Sequence, residues 1–152
     1  MKPRIYADTS AIAGCLDEEF REPSSRLMAF FARGELVLVL SDLTLREIGR
    51  APAEVRRLLD QVPGDEIEMV SLTEEAADLA REYVRAGVVG ARMLVDAEHI
   101  AVATVARVDV LVSWNFKHIV NLRRIRAYNS VNLRLGYPLL EIRAPREVLP
   151  DE

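Results

Sequence analysis

Asp109-Val110-Leu111-Val112-Ser113-Trp114-Asn115-Phe116-Lys117-His118-Ile119-Val120-Asn121 is an apolar strand running into a polar turn. From Asp109 to Val112 the apolar residues are continuous rather than alternating, as expected of a strand in a sheet covered on both faces. Working outward, Leu94 to Ala106 reads as a helix, with Ile100, Ala103 and Ala106 spaced for close packing. On the other side, a helical pattern runs from about Phe116 to Leu135, is stopped by Gly136 and Pro138, and leads to an edge strand at Leu140 to Arg143.

The same punctuation extends toward the N-terminus. Arg4 to Ala7 is a short buried strand, after which Thr9-Ser10 offers capping side chains for a helix from Ala11 to Leu16. A helix from Pro23 to Arg33 begins at a proline and has Gly34 just past its end. Leu36 to Leu40 is a second buried strand, and Ser41 or Asp42 caps the helix that carries Glu47. Pro52 opens a helix through Leu59, Pro63-Gly64 marks a turn, and Glu66 to Val70 forms a third strand. Thr73-Glu74-Glu75 starts a helix that reaches about Ala86, before Gly87. Strands alternating with helices imply an α/β chain with a central, mostly parallel sheet and helices on both sides. In such sheets, ligand sites gather at the carboxyl ends of the strands.

A chain of 152 residues that is 50% hydrophobic supports one complete core, so residues 1–152 are expected to form one domain. No apolar run approaches the ~20 residues that span a bilayer, and Met1-Lys2-Pro3-Arg4 leads into a strand too short for a signal-peptide core. The expectation is a soluble, cytoplasmic protein. Cys15 is the only cysteine, which excludes an internal disulfide, and it has no neighbouring cluster to make zinc a candidate. A net charge of -4 argues against a globally basic nucleic-acid-binding surface. From Lys117 to Arg143, however, the bases Lys117, Arg123, Arg124, Arg126, Arg134 and Arg143 face the single acid Glu141. That stretch fits phosphate contacts and a solvated helix face equally.

The chemistry lies in acids placed where strands end or helices begin: Asp8 after Ile5-Tyr6-Ala7, Glu47 within Thr44-Leu45-Arg46-Glu47-Ile48, and Asp96 opening Asp96-Ala97-Glu98-His99-Ile100-Ala101. Asn115 stands at the fourth such position. Two carboxylates held ~4 Å apart at an effective dielectric near 20 repel by roughly 4 kcal/mol, which a proton or a cation must relieve. Oxygen ligands select hard ions, so Mg²⁺ or Mn²⁺ is expected over zinc.

Tyr6-Ala7-Asp8-Thr9-Ser10, Leu43-Thr44-Leu45-Arg46-Glu47-Ile48, Asp96-Ala97-Glu98-His99-Ile100-Ala101-Val102-Ala103 and Val112-Ser113-Trp114-Asn115-Phe116-Lys117-His118-Ile119-Val120-Asn121 together resemble the PIN-domain family, and within it the VapC-like toxins. The resemblance covers nearly the whole chain in the family's order. It implies a PIN-like three-layer α/β/α fold and a metal-dependent endoribonuclease, the toxin of a type II toxin–antitoxin pair. Asp8, Glu47 and Asp96 then become the metal-site acids, and the family's fourth acidic position falls on Asn115, where an amide lends an oxygen but no charge. Ser10 and Ser113 match the family's small hydroxyl residues and suit hydrogen bonds to the acids, whereas Thr9 reads first as a capping residue. The resemblance also implies an RNA substrate, products with 5'-phosphate and 3'-hydroxyl ends, an antitoxin partner and a homodimer. An apolar patch near Leu27, Phe30 and Phe31 is the expected dimer surface.

His99 follows Asp96 by one helical turn and is read as a packed or hydrogen-bonded histidine. His118 and Lys117 fit solvation or phosphate contact, and Trp114 invites base stacking but reads first as a buried anchor of its turn. The amides of Tyr128-Asn129-Ser130-Val131-Asn132 suit a substrate, a partner chain or a neighbouring helix. Two other readings compete: a catalytically weak PIN domain that binds RNA or assists assembly, with Asn115 as a lost ligand, and an aspartyl-phosphate phosphatase. The phosphatase wants a second acid where this chain has Ser10. The sequence leaves open which RNA is cut, and whether DNA is.

Overall fold

The computed structural model describes residues 1–150. Its elements run β1 (Arg4–Ala7), α1 (Thr9–Ala13), α2 (Arg21–Ala32), β2 (Val37–Ser41), α3 (Asp42–Gly49), α4 (Ala53–Leu59), β3 (Ile67–Val70), α5 (Glu74–Arg85), α6 (Leu94–Val105), β4 (Val110–Val112), α7 (Leu122–Arg134) and β5 (Ile142–Arg143). The strands form one sheet in the order β3-β2-β1-β4-β5. Every pairing is parallel, so the sheet is wholly rather than mostly parallel.

Side chains alternate across the strands and divide the core into two layers. Tyr6, Val39, Leu111 and Ile142 point to one face, where they pack with Ala76, Leu79 and Tyr83 of α5, Ile100 and Ala103 of α6, and Tyr128 of α7. Ile5, Ala7, Leu38, Leu40 and Val112 point to the other, against Ile12 of α1, Leu27, Phe30 and Phe31 of α2, Ile48 of α3 and Val55 of α4. Each fully buried large apolar side chain contributes roughly 1.5–3 kcal/mol. Leu27, Phe30 and Phe31 are therefore core residues facing the sheet, and the expected exposed apolar patch on α2 is absent.

Two local expectations are corrected. The cap of α1 is Asp8 itself, whose Oδ1 accepts the Ala11 N–H at 3.0 Å, while Thr9 and Ser10 lie inside the helix, which ends at Ala13 before a 3₁₀ turn from Gly14 to Leu16. The helix expected from Phe116 begins only at Leu122. Asn115 is the reason: its side-chain oxygen accepts the N–H groups of Lys117 at 3.2 Å and His118 at 2.9 Å, and its carbonyl accepts those of Ile119 and Val120. These bonds fold the segment into a compact turn, and Asn121 caps α7 by accepting the Arg124 N–H at 3.3 Å. No helix among the described residues is long and apolar enough to cross a membrane.

Candidate active site

Asp8 follows β1, Ser41 ends β2 and Ser113 follows β4, so the carboxyl ends of three neighbouring strands deliver polar groups to one place. Asp8 is only 5% exposed. Its Oδ1 accepts the Ser10 hydroxyl at 2.8 Å as well as the Ala11 N–H, and its Oδ2 accepts the Ser113 hydroxyl at 2.6 Å. Ser10 in turn accepts the Trp114 N–H at 2.9 Å, and Ser113 accepts the Asn115 N–H at 2.9 Å. The two serines lock the turn after β4 onto the acid at the end of β1.

Glu47 is held differently. The Nε2 of His99 lies 2.7 Å from Glu47 Oε1, and the Nδ1 lies 2.7 Å from the Tyr6 hydroxyl, which is itself 2.7 Å from Ser41 Oγ. His99 is 3% exposed, so a buried imidazole linked at both nitrogens joins α3, α6, β1 and the end of β2. Asp96 sits in the first turn of α6 and accepts the Asn115 Nδ2–H at 3.4 Å. Because Asn115 Oδ1 is committed to two backbone N–H groups, the amide nitrogen is left facing Asp96. An aspartate there would set two like charges together, whereas the amide donates a bond.

Burial and neighbouring charges shift these groups in different directions. Burial pushes the Asp8 carboxyl above its ordinary range, against the opposing pull of His99, Ser113, Ser10 and the Ala11 N–H. Burial likewise raises Asp96, with the Asp8 charge adding to it and His118, His99 and Asn115 opposing. Glu47 is lowered, chiefly by the hydrogen bond from His99. Burial alone would depress His99, but its bond to Glu47 and the charges of Asp8, Glu47 and Asp96 outweigh that and hold the imidazole above its usual value. One buried histidine thus feels all three acids.

The expected residues Asp8, Glu47, Asp96, Asn115, Ser10 and Ser113 all fall on this edge of the sheet. Thr9 is also there, with Oγ1 enclosed and its hydroxyl favouring the charged form of Glu47. His118 is half-buried, its N–H bonded to Asn115, its carbonyl accepting the Tyr128 hydroxyl and its Nδ1 without a partner. Trp114 is a buried anchor, 6% exposed, its indole N–H donating to Ser24 Oγ at 2.8 Å. The amides of α7 turn inward: Asn132 accepts the Tyr83 hydroxyl at 2.5 Å, and Asn129 bonds both backbone polar groups of Leu140. They join α7 to α5 and to the approach to β5. Tyr6 and Ser41 are site residues that the sequence reading passed over, since nothing local marks a tyrosine in a strand as the partner of a distant histidine.

No model of a known protein family matches the chain, and no curated protein matches it in sequence. Solved structures do. The VapC20 structure from Mycobacterium tuberculosis, described as a sarcin–ricin loop cleaving toxin, matches with a TM-score of 0.56 at 16% identity, over 75% of this chain and 92% of that one. The VapBC2 structure from Rickettsia felis, bound to a DNA fragment from their promoter, matches with a TM-score of 0.53 at 14% identity, over 91% of this chain and 96% of that one. The fold is that of the PIN-domain VapC toxins.

Within this VapC-like fold the donors suit a hard cation: three carboxylates, the hydroxyls of Ser10 and Ser113 and no thiolate. Among the described residues no group of three or more His, Cys, Asp or Glu side chains is placed to hold a metal ion. Each acid is engaged by its own partner instead, Asp8 by two serines, Glu47 by His99 and Asp96 by Asn115. A carboxylate has about four lone-pair sites, so these bonds leave Asp8 and Asp96 acceptor capacity toward a metal.

Proposed function

We propose that the chain is a metal-dependent endoribonuclease, the toxin of a toxin–antitoxin pair, that hydrolyses RNA phosphodiester bonds at the edge of the sheet formed by the ends of β1, β2 and β4. The observation that carries this reading is the bonded set at this edge, in which Ser10 and Ser113 hold Asp8, His99 holds Glu47 and Asn115 holds Asp96. Its support from outside the site is the fold it shares with a toxin described as cleaving the sarcin–ricin loop.

Asp8 and Asp96 would hold Mg²⁺ or Mn²⁺, with Glu47 completing the acidic set. When bound, the ion supplies activation of water and neutralisation of charge on the phosphodiester. The chain's own residues do the rest. Ser10 and Ser113 fix the Asp8 carboxylate, and His99 fixes Glu47. Asn115 orients Asp96 without adding a fourth negative charge against the phosphate. An antitoxin covering this edge would silence it, and pairing of toxins as homodimers is part of the same proposal.

Cleavage of total RNA by the wild type and by Asp96→Asn, each with Mn²⁺, Mg²⁺ or EDTA and with the cut ends mapped, tests it. Discrete metal-dependent cuts with 5'-phosphate ends, lost in the variant, are expected. Ends carrying a 2',3'-cyclic phosphate would mean that the ribose hydroxyl is the nucleophile and would overturn the hydrolytic scheme. A folded protein that neither cuts RNA nor binds Mn²⁺ would instead be an RNA-binding or assembly module.

A further inference from the structure

Beside the acids lies a recess of about 310 Å³ lined by Ser10, Ala13, Gly14, Asp17, Phe20, Trp114 and Asn115. Two of these residues belong to the acidic site, since Ser10 bonds Asp8 and Asn115 bonds Asp96. Of the rest, Phe20 and Trp114 form an aromatic wall, and Phe116 stands next to it outside the lining. Phe20 stacks on Trp114 with ring centres 4.1 Å apart and planes within 14°, and Phe116 leans on both, at 6.4 Å from Phe20 and 6.0 Å from Trp114. Phe116 is 49% exposed. The Arg146 guanidinium lies 5.6 Å from the centre of the Trp114 ring.

The recess is built, not incidental. The Trp114 indole bonds Ser24, which donates to the Ala11 carbonyl at 2.7 Å, and the ring presses directly on the backbone at Gly14. A Cβ on residue 14 would stand 2.5 Å from Ser24 Oγ and 2.6 Å from Trp114 Nε1, so only glycine lets the indole dock there. The wall's polar edge is Asp17, an exposed carboxylate that also accepts the Glu19 N–H at 2.8 Å.

We propose that this recess takes one unpaired nucleobase of the RNA substrate, next to the phosphate presented to Asp8 and Asp96, an inference that rests on the nuclease reading above. Phe116 and Phe20 supply the stacking surface, and aromatic platforms of this kind are how proteins hold splayed single-stranded bases. Asp17 decides what enters. A carboxylate repels a phosphate and accepts only from donors, so it favours a base whose edge offers adjacent N–H groups, guanine above all. Arg146 is placed to meet the phosphate that follows the bound base.

Trp114 is the only tryptophan in the chain, so its emission reports on this recess directly. The experiment titrates the full-length Asp96→Asn protein in Mn²⁺ with a short oligocytidylate carrying one guanosine, and with its abasic counterpart, reading both Trp114 emission and anisotropy of a labelled strand. RNA cleavage by otherwise wild-type protein is measured in parallel. The guanosine strand is expected to change the emission and the abasic strand to bind more weakly. Phe116→Ala should weaken binding roughly 5- to 100-fold, Phe116→Tyr should restore it, and Asp17→Asn should erase the preference for guanine over uracil. Leu133→Ala, on the exposed side of α7, controls for surface changes. If Phe116→Ala and Asp17→Asn bind and cleave like Leu133→Ala while Asp96→Asn is dead, the base site is overturned and the nuclease stands. If binding depends on the base but cleavage ignores Asp96→Asn and EDTA, the nuclease reading falls and the base site stands. An emission change produced by the antitoxin protein and by no RNA would make the recess a protein contact and overturn the proposal.

Discussion

Asp8 and Glu47 lie beyond the ends of adjacent strands and act on the same imidazole, yet their carboxyls are displaced in opposite directions. Asp8 is buried, and the charge of His99, two hydroxyls and a backbone N–H do not offset that burial, so its charged form is disfavoured. Glu47 is half-buried against His99, and its charged form is favoured. Hydroxyls orient a carboxylate but do not neutralise it, while an imidazole held between three acids does both. The comparison teaches that this edge of the sheet carries one acid whose charge is already answered and another, with Asp96 beside it, whose charge is not.

The largest expected effect separates the two. Asp8→Asn should lower RNA cleavage by more than roughly 100-fold, since even residues that only support metal ligands cost 10- to 100-fold. The metal-free variant should melt no lower than the wild type, because a buried charge is removed while Asn Oδ1 still caps α1. Glu47→Gln should also impair cleavage but lower the melting temperature, because His99 loses its counter-charge. Equal melting behaviour of the two variants would erase the distinction.

Next comes His99 itself. Truncation to alanine leaves the buried Tyr6 hydroxyl short of a partner and frees Glu47, costing about 1–3 kcal/mol in denaturant unfolding and roughly 10- to 100-fold in cleavage. His99→Gln should recover more cleavage than stability, since an amide N–H can still orient Glu47. Cleavage that tracks stability through both variants would make His99 a packing residue only.

Metal binding sharpens the contrast from the other side. Mn²⁺ at about 100 times its dissociation constant should stabilise the wild type by about 2.7 kcal/mol. The gain should shrink in Asp8→Asn and in Asp96→Asn, as read by calorimetric melting. An unchanged gain in both would place the cation elsewhere.

The smallest effect extends the comparison to an exposed pair. Arg4 donates to Glu68 at 2.8 Å and holds its carboxyl below the ordinary range, as His99 does for Glu47, but both side chains are partly solvated. A depressed folded-state pKa adds stability that is present above the unfolded value and is lost as pH falls through the folded one. Glu68→Gln should therefore cost no more than about 1 kcal/mol at neutral pH, and the difference from wild type should shrink as pH falls below the unfolded glutamate value of about 4.3 and disappear at the lower pH where folded Glu68 is itself protonated. A constant difference down to that pH would assign the cost to packing instead.

Much of this was legible in the chain because it is local. The strands at Arg4–Ala7 and Val110–Val112 are apolar runs bounded by polar turns, and Ser41, Pro52 and Thr73 announce the helices they precede. The helix expected from Phe116 failed because periodicity counts apolar residues but not the backbone N–H groups captured by Asn115. The patch expected on α2 failed because Leu27, Phe30 and Phe31 make an apolar face in either case, and only the sheet beneath them decides that it is covered.

What the sequence by itself determined is the alternation of strands and helices, the carboxylates at their junctions and, through an ordered set of short motifs, the fold. What the tertiary structure alone decided is which acid meets which partner. His99 reaches Tyr6 across 93 residues and Glu47 across 52, and Ser113 reaches Asp8 across 105. The order β2-β1-β4 brings those distant segments to one edge, and neither side-chain periodicity nor composition encodes it. Protonation follows burial and neighbours, so the opposite states of two similar carboxyls exist only once the chain has folded around them.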